Sequence, residues 1–301
     1  MNDKKIYDLV CIGNYTKDTI ISPQGVNYVD GGAINYSAHA AAGLGRKVAV
    51  VTRLAEEDKR VIDKFQTDGI DCFVTYTPQS TCMKLEYPTN NPDIRTLSVT
   101  GTAGSITSKD IEHINMKAAA IGTSLRGEVD LEVIHSLREK DILLGADMQG
   151  FVRVLRGQSL INENWLEMQA TLPYFDVLKS DAMEAEFLTG QANIYEAAKI
   201  FSAMGTKEIV LTHKDGVLVY ADGKFHQNEF HAQNLNGRSG RGDTCLGAYM
   251  AMRLTSKPFE AGIWAAAVTS LKMERLGPYD RSLDELKEFI NNYYQMLPVS
   301  S

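Results

Sequence analysis

The residues best suited to chemistry lie in one glycine-rich stretch near the C-terminal end of the chain, residues 237–245. The stretch reads Gly-Arg-Ser-Gly-Arg-Gly-Asp-Thr-Cys and runs into an apolar segment, residues 246–254, which predicts a tight loop that opens a helix. The first amides of a helix lack partners within it, and the helix dipole is positive at that end. The stretch therefore predicts a binding site for an anion, most simply a phosphate group.

The carboxylate of Asp243 is an unusual neighbour for a bound phosphate, because like charges repel. It is explained if Asp243 is a general base that takes a proton from a hydroxyl attacking the phosphate. The alternative is that Asp243 only caps the helix and the glycines form an ordinary turn. The stretch is neither a P-loop, since no Gly-Lys-Ser/Thr follows the spacing, nor a dinucleotide-binding fingerprint.

Composition excludes several classes of protein. The chain has 301 residues and a net charge of −7 with scattered basic residues, which argues against a nucleic-acid surface. No apolar run reaches the ~18 residues of a membrane span, and the N-terminus has no signal-peptide core. The four cysteines share no Cys-x-x-Cys spacing, so we expect reduced thiols in a cytoplasmic protein.

Strand-like and helix-like segments alternate along most of the chain, which predicts an α/β fold with a doubly wound, mostly parallel sheet. Residues 14–30 and 70–100 read instead as strands and turns, including a turn at 90–93, and are predicted to form a small β lid. Residues 162–170 read as a helix. We expect one domain over residues 1–301, because no break in composition separates two domains.

The elements so placed put polar side chains at or just past the ends of successive strands. They are Asp18, Arg126, Asp147, Lys179 and Thr212. In open α/β sheets, ligands bind beyond the carboxyl ends of the strands. We therefore expect these side chains to surround the anion-binding loop.

Residues 237–245 resemble the second signature of the PfkB, or ribokinase-like, family of carbohydrate kinases, roughly Asp-Thr-x-Gly-Ala-Gly-Asp. Gly240, Gly242 and Asp243 match that pattern. The departures are Gly237 for Asp, Arg238 for Thr and Arg241 for Ala. The resemblance, which extends over nearly the whole chain, implies a ribokinase-like fold with a β lid. It also implies that Asp243 is the base and that the amides of Gly240, Arg241 and Gly242 stabilise the transferred group.

The acceptor side carries a second resemblance. The sequence Gly31-Gly32-Ala33-x-Asn35 is similar to the first signature of the family, a Gly-Gly pair before a helix with Asn in its first turn. The family also has an Asp at the place of Asp18. The resemblance implies that Asp18, Gly31, Gly32 and Asn35 hold the hydroxyls of the acceptor.

The donor side carries the weaker matches. The resemblance implies a nucleotide site, ATP, formed by Lys179, Thr212, Gly216, Gly240 and Gly242. Asp181 and Glu184 are similar to the Asn-x-x-Glu motif of the family, and three-residue spacing on a helix places both on one face. We expect them to serve Mg²⁺ through water, the alternative being an acidic first turn favoured by the helix dipole.

The expected function is ATP- and Mg²⁺-dependent phosphorylation of a hydroxyl on a sugar, sugar acid or cyclic polyol. Arg126 and Arg153 follow strands on the acceptor side, where their forked donors would match a carboxylate, although both also read as solvated loop residues. The alternatives are a nucleoside kinase of the same fold and a non-catalytic ligand-binding relative. The resemblance makes a homodimer through the lid plausible.

Overall fold

The structure, a computed structural model, describes residues 5–89 and 96–294. Its strands are β1 (Ile6–Ile12), β2 (Thr16–Ser22), β3 (Gly25–Gly31), β4 (Val48–Ala55), β5 (Asp71–Thr77), β6 (Thr81–Glu86), β7 (Thr96–Gly101), β8 (Asn115–Ile121), β9 (Leu143–Asp147), β10 (Arg153–Arg156), β11 (Ser159–Asn162), β12 (Val177–Asp181), β13 (Glu208–Thr212), β14 (Gly216–Ala221) and β15 (Lys224–Glu229). Its helices are α1 (Ala33–Gly43), α2 (Arg60–Thr67), α3 (Ser108–Ile111), α4 (Leu131–Arg138), α5 (Gln149–Val152), α6 (Met168–Thr171), α7 (Ala182–Thr189), α8 (Ile194–Ala203), α9 (Arg241–Arg253), α10 (Pro258–Met273) and α11 (Leu283–Tyr293), with 3-10 turns at Glu56–Asp58 and Leu172–Tyr174.

The larger sheet has nine strands in the order β15-β14-β13-β12-β9-β8-β1-β4-β5. The seven strands from β13 to β5 are parallel, and the β14–β15 hairpin adds two antiparallel strands at one edge. The predicted doubly wound, mostly parallel α/β sheet is confirmed. The order places the carboxyl ends of β13, β12, β9, β8 and β1 side by side, so the residues that follow them share one edge.

Both faces of this sheet are buried under helices. Alternate side chains of β1 point to opposite faces, as the two-residue period of a strand requires. Leu9 and Cys11 belong to the apolar core that includes α1, α9 and α10, whereas Val10 and Ile12 belong to the core on the other face, which includes α4 and α8. This burial on both sides explains why β1 reads as a continuous apolar run instead of an alternating one.

Helices α1 and α9 pack at backbone contact, which fixes the start of α9 over the sheet. The alanine-rich sequence of α1 leaves little side-chain bulk between the two helices. A Cβ on Gly247 of α9 would lie 2.2 Å from the carbonyl oxygen of Ser37. The close approach holds the glycine-rich loop that precedes α9 directly above α1.

The second sheet forms the lid and has six strands in the order β10-β11-β7-β6-β2-β3. It corrects two expectations. Asp71–Thr77, placed in the lid segment 70–100, pairs with β4 at the edge of the large sheet. Residues 153–162 contribute two strands to the lid, so the helix predicted over 162–170 is wrong apart from the single turn of α6. The turn predicted at 90–93 lies outside the described residues.

One face of the lid carries a row of half-buried aliphatic side chains that crosses five strands. The row consists of Ile20, Leu85, Leu97, Leu160 and Leu155. Such a row fits the expected homodimer through the lid, which stays a prediction that the molar mass in solution decides. The one-domain organisation likewise stays a prediction. No helix among the described residues is long and apolar enough to cross a membrane.

Candidate active site

The glycine-rich loop ends where α9 begins, and its backbone takes the conformation that the sequence predicts. Gly240 precedes the helix with φ of 72°, in the left-handed region that glycine adopts without strain. A Cβ there would lie 2.2 Å from the Tyr36 ring, and a Cβ on Gly242 would lie 2.2 Å from Lys179 Nζ. Both glycines are thus required by close contacts. The Arg241 amide donates to the Arg238 carbonyl over 3.3 Å, so the amides of Gly240 and Gly242 are the ones best placed for an anion.

Asp243 lies in the first turn of α9, beside this loop. Burial, and repulsion by the nearby Asp147 carboxylate, raise the pKa of Asp243 to about 6, although the charges of Lys179, Arg153 and Lys272 oppose the shift. A carboxylate with a pKa near the working pH is a better proton acceptor than an ordinary exposed one. The arrangement can therefore take a proton from a hydroxyl held next to Asp243.

A buried ion pair lies against the loop. Lys179 at the end of β12 donates to Oδ2 of Asp147 at the end of β9, over 2.8 Å, and both side chains are almost fully buried. Burial is the largest single influence on Lys179 and lowers its pKa. The carboxylates of Asp147, Glu184, Asp243 and Asp181 together outweigh it and raise the pKa above its usual value. Lys179 therefore keeps its charge beside Gly242, where an anion would bind.

Asp181 and Glu184 form a capping box at the start of α7. The Glu184 amide donates to Asp181 Oδ1 over 2.8 Å, and the Asp181 amide donates to Glu184 Oε2 over 3.1 Å. Glu184 Oε1 lies 3.7 Å from Nη2 of Arg153. Burial raises the pKa of Glu184 to about 7. The local geometry therefore agrees with the alternative that the two residues form an acidic first turn of the helix. The cap uses one oxygen of each carboxylate and leaves the other outside it.

This geometry tests whether the residues fit the Mg²⁺ ion that the family implies. No group of three or more His, Cys, Asp or Glu side chains within residues 5–89 and 96–294 is arranged to hold a metal ion. Mg²⁺ commonly keeps several waters and binds through one or two carboxylates together with substrate phosphates. Asp181 and Glu184 fit such a water-mediated role, in which the donor phosphates supply the direct ligands.

The predicted acceptor residues lie together on the lid side of the loop. A Cβ on Gly31 would lie 2.2 Å from Asp18 Oδ2, so this carboxylate lies directly over the glycine. Asp18 Oδ1 is buried without a hydrogen-bond partner, and burial raises the pKa of Asp18 to about 6. Gly32 has φ of 93° and precedes α1, and Asn35 in the first turn donates to the Asp30 carbonyl over 3.0 Å.

Tyr36 links the acceptor residues to the loop. Burial is the largest cause that raises the pKa of its phenol, and the charges of Asp243 and Asp18 raise it further. Both carboxylates therefore act on the same ring, and a ligand at Asp18 is brought within the neighbourhood of Asp243. Sequence reasoning missed Tyr36, because nothing about a tyrosine in an alanine-rich helix marks it.

The two arginines predicted on the acceptor side are neighbours in the structure, where the Arg126 amide donates to the Arg153 carbonyl over 2.8 Å, but their side chains have different partners. Arg126 donates through Nε to the Phe151 carbonyl over 2.6 Å and through Nη2 to the carbonyls of Glu163 and Asn164. Arg126 thereby ties its own loop to α5 and to residues 163–164, which favours the interpretation that it is a loop residue and not an acceptor ligand. The Arg153 side chain instead reaches Glu184, and its charge acts on Asp243, so it lies among the carboxylates of α7 and α9.

Two of the five predicted nucleotide residues, Thr212 and Gly216, lie at the β13–β14 turn, whereas Lys179, Gly240 and Gly242 lie at the glycine-rich loop. Thr212 Oγ1 is buried without a hydrogen-bond partner. Gly216 belongs to the β14–β15 pairing, where a Cβ would lie 2.2 Å from the Asn228 carbonyl oxygen, so its small size has a structural reason. A groove of about 440 Å³ opens beside this turn. Its lining includes Lys214, Asp215, Glu229, Phe230 and Met273.

Taken together, the fold and the site define a kinase. The chain matches the pfkB family of carbohydrate kinases over residues 3–285, and it belongs to that family. The chain is therefore a carbohydrate kinase, and the predicted fold and family are confirmed.

Two similar solved structures are of pyrophosphate-dependent kinases. A sulfate complex of a pyrophosphate-dependent kinase in the ribokinase family is 33% identical with a TM-score of 0.87, over 94% of this chain and 100% of that one. A pyrophosphate-dependent kinase of the same family complexed with a pyrophosphate analogue and myo-inositol is 32% identical with a TM-score of 0.86, over 93% of this chain and 99% of that one.

A curated relative has a different acceptor in its name. A cytidine kinase of Thermococcus kodakarensis is 26% identical over 265 residues, which cover 84% of this chain and 91% of that protein. The small molecules named for these relatives therefore differ, myo-inositol for one and cytidine for another.

Proposed function

We propose that this carbohydrate kinase transfers a phosphoryl group from inorganic pyrophosphate to a hydroxyl of a neutral cyclic polyol, with Asp243 as the general base. The observation that carries the proposal is the position of Asp243, a carboxylate with a raised pKa at the start of α9 beside the buried Lys179. A general base works best with a raised pKa, which Asp243 has. A phosphoryl group is stabilised by cations and amides, which Lys179 and the start of α9 supply.

The proposed reaction is an in-line displacement. The acceptor oxygen attacks one phosphorus atom of the donor and loses its proton to Asp243, while the bond to the bridging oxygen breaks and phosphate leaves. The amides of Gly240 and Gly242 would receive the equatorial oxygens, and the Arg241 amide would join them on releasing the Arg238 carbonyl. Lys179 and Arg153 would offset the charge of these oxygens. Asp181 and Glu184 would hold Mg²⁺ through water, and the ion would neutralise further charge on the donor.

The charges around the loop support pyrophosphate as the donor. A nucleotide gains affinity through its base and sugar, whereas pyrophosphate offers only charged oxygens to be bound. Arg238 and Arg241 replace an uncharged Thr and Ala of the family pattern, which adds two positive charges at the start of α9. Forked guanidinium donors suit phosphate oxygens. Three solved structures above 30% identity are of pyrophosphate-dependent kinases, which agrees with this choice.

The acceptor side supports a neutral polyol over a sugar acid. Asp18 contributes a carboxylate there, and Arg126 is engaged with three carbonyls, so an acceptor carboxylate would meet repulsion from Asp18. The unpartnered Asp18 Oδ1 and the Asn35 amide suit adjacent hydroxyls, which both donate and accept. A cyclic polyol of the myo-inositol type, named for one relative, meets these requirements.

ATP remains the second candidate donor, and a specific observation favours it. The groove of about 440 Å³ is lined by Lys214 and Asp215, which follow Thr212 closely in the chain, and its volume has room for the base and sugar of a nucleotide. In that case Thr212 and Gly216 would contact the nucleotide. A nucleoside acceptor is the alternative raised by the cytidine kinase relative, and a ligand-binding protein without activity is the alternative outside enzymes.

The test is a matrix of donors and acceptors. Pyrophosphate and ATP are each combined with myo-inositol, ribose, a sugar acid and cytidine, and acceptor-dependent release of phosphate or ADP is measured. We expect pyrophosphate with myo-inositol to exceed every other pair in kcat/KM by at least about tenfold, a difference of ~1.4 kcal/mol in transition-state stabilisation. A preference for ATP overturns the donor, efficient use of ribose or cytidine overturns the acceptor, and no turnover with any pair favours the binding protein.

A separate variant tests the metal role of the acidic pair. We expect Glu184→Gln to raise the Mg²⁺ concentration for half-maximal rate several-fold, because it removes one charge from the water-mediated shell. Glu186→Gln on the same helix, where the side chain is exposed, is the matched control. An Mg²⁺ dependence unchanged by Glu184→Gln would assign the pair to the helix cap alone.

A further inference from the structure

Lys272 is a buried lysine in the last turn of α10, a helix whose buried side chains are mostly apolar. Its ammonium donates to the carbonyl oxygens of Gly237 and Ser239, which belong to the glycine-rich loop. It also lies 5.0 Å from the centre of the Tyr36 ring, within the range of a cation–π contact. The ammonium is therefore surrounded by two carbonyl oxygens and one ring face.

These contacts hold the loop directly before Gly240, whose amide belongs to the predicted anion site. A trans peptide points its C=O and N–H in opposite directions. Because the Ser239 carbonyl turns toward Lys272, the Gly240 amide of the same peptide turns away from it. The Gly237 amide adds a second anchor by donating to the Met273 carbonyl over 2.8 Å. The loop is thus clamped to the end of α10 through main-chain atoms.

The charge of Lys272 is kept in this setting. Burial lowers the pKa of Lys272 to about 8, and the Asp243 carboxylate opposes the shift. Its position at the C-terminal end of α10, where the helix dipole is negative, also favours a cation. Two carbonyl oxygens facing each other without a cation would be left unsatisfied, which is costly in a buried site.

We propose that the Lys272 ammonium acts as a built-in monovalent cation that holds the glycine-rich loop in its anion-binding conformation. Lys272 is then a positioning residue, which acts through the main chain and not on the substrate. The proposal rests on the loop binding an anion, and it has a consequence of its own. The wild-type protein needs no added monovalent cation, whereas a variant that lacks the ammonium requires one.

The test compares wild type with Lys272→Ala in potassium, ammonium or N-methylglucamine chloride at equal ionic strength. Affinity for pyrophosphate, and separately for inorganic phosphate, is measured by calorimetry alongside turnover. We expect wild type to be indifferent to the cation. We expect Lys272→Ala to lose at least about tenfold in anion affinity in N-methylglucamine, the worth of charged hydrogen bonds, and to regain most of it in potassium or ammonium. Lys287→Met, an exposed lysine on α11, is the control.

Each outcome decides the matter. A wild-type protein that depends on potassium, or a folded Lys272→Ala that binds anions normally in N-methylglucamine or is not restored by small cations, overturns the proposal. Should Lys272→Ala not fold, Lys272→Arg is measured instead, because it keeps the charge and can donate to both carbonyls. We expect it to bind phosphate within about threefold of wild type, and a greater loss overturns the proposal. Because binding is measured apart from turnover, failure of the proposed reaction leaves this test intact.

Discussion

Turnover of the Asp243→Asn variant should be lower than that of wild type by roughly two to four orders of magnitude, the usual contribution of a general base. Asparagine keeps the size and most hydrogen bonding of aspartate but cannot accept the proton of the attacking hydroxyl. Because burial opposes ionisation of Asp243, its neutral replacement should leave folding intact. Asp284→Asn, at an exposed position on α11, is the matched control.

The same residue predicts the acid limb of the pH profile. The base form of Asp243 is present above its pKa of about 6 and is lost as the pH falls through that value, so kcat/KM of wild type should fall below about pH 6. The residual rate of Asp243→Asn should lack this limb. Turnover near the wild-type value in the variant, with the acid limb retained, would contradict the assignment of the base.

The second large effect is a loss of stability in a variant of Lys179. Lys179→Met leaves the Asp147 carboxylate buried without its partner, which should lower the free energy of unfolding by roughly 3–5 kcal/mol. Urea unfolding followed by circular dichroism measures this loss. The double variant Lys179→Met with Asp147→Asn removes the unpaired charge, so it should regain most of the lost stability.

Stability and donor binding can be separated with the same double variant. If Lys179 also contacts the donor, the KM for pyrophosphate should stay at least about tenfold above wild type after stability is regained, as expected for loss of a charged hydrogen bond. A stable double variant with the wild-type KM for its donor would limit Lys179 to a structural role. Lys257→Met, which changes an exposed lysine before α10, controls for the loss of one positive charge.

Local signals in the sequence were enough for the sheet and the glycine-rich loop. The strand β1 is a short apolar run ended by a glycine, and residues 240–243 combine glycines with a carboxylate before a helix, so each feature is readable within a few residues. Asp18 and Asn35 were placed by family resemblance. The structure brings Asp18 near enough to Tyr36 to raise the pKa of its phenol, and the Tyr36 ring also lies against Gly240.

Features that depend on contacts between residues far apart in the chain could not be predicted from local sequence. The strand Asp71–Thr77 looks like a lid strand by its own sequence, and only its pairing with β4 places it in the large sheet. The Lys179–Asp147 ion pair joins residues 32 positions apart. Lys272 gave one signal, a lysine inside an apolar helix, but its carbonyl partners lie 33 and 35 positions away in the chain.

The most direct test of the account is to follow the fate of the phosphorus atoms by ³¹P nuclear magnetic resonance. Wild type is incubated with pyrophosphate, Mg²⁺ and myo-inositol, with Asp243→Asn as the parallel sample. We predict that wild type forms one inositol phosphate for each phosphate released and that the variant forms almost none in the same time. Pyrophosphate split to two phosphates without a phosphorylated polyol, or equal product formation by the variant, would contradict the account.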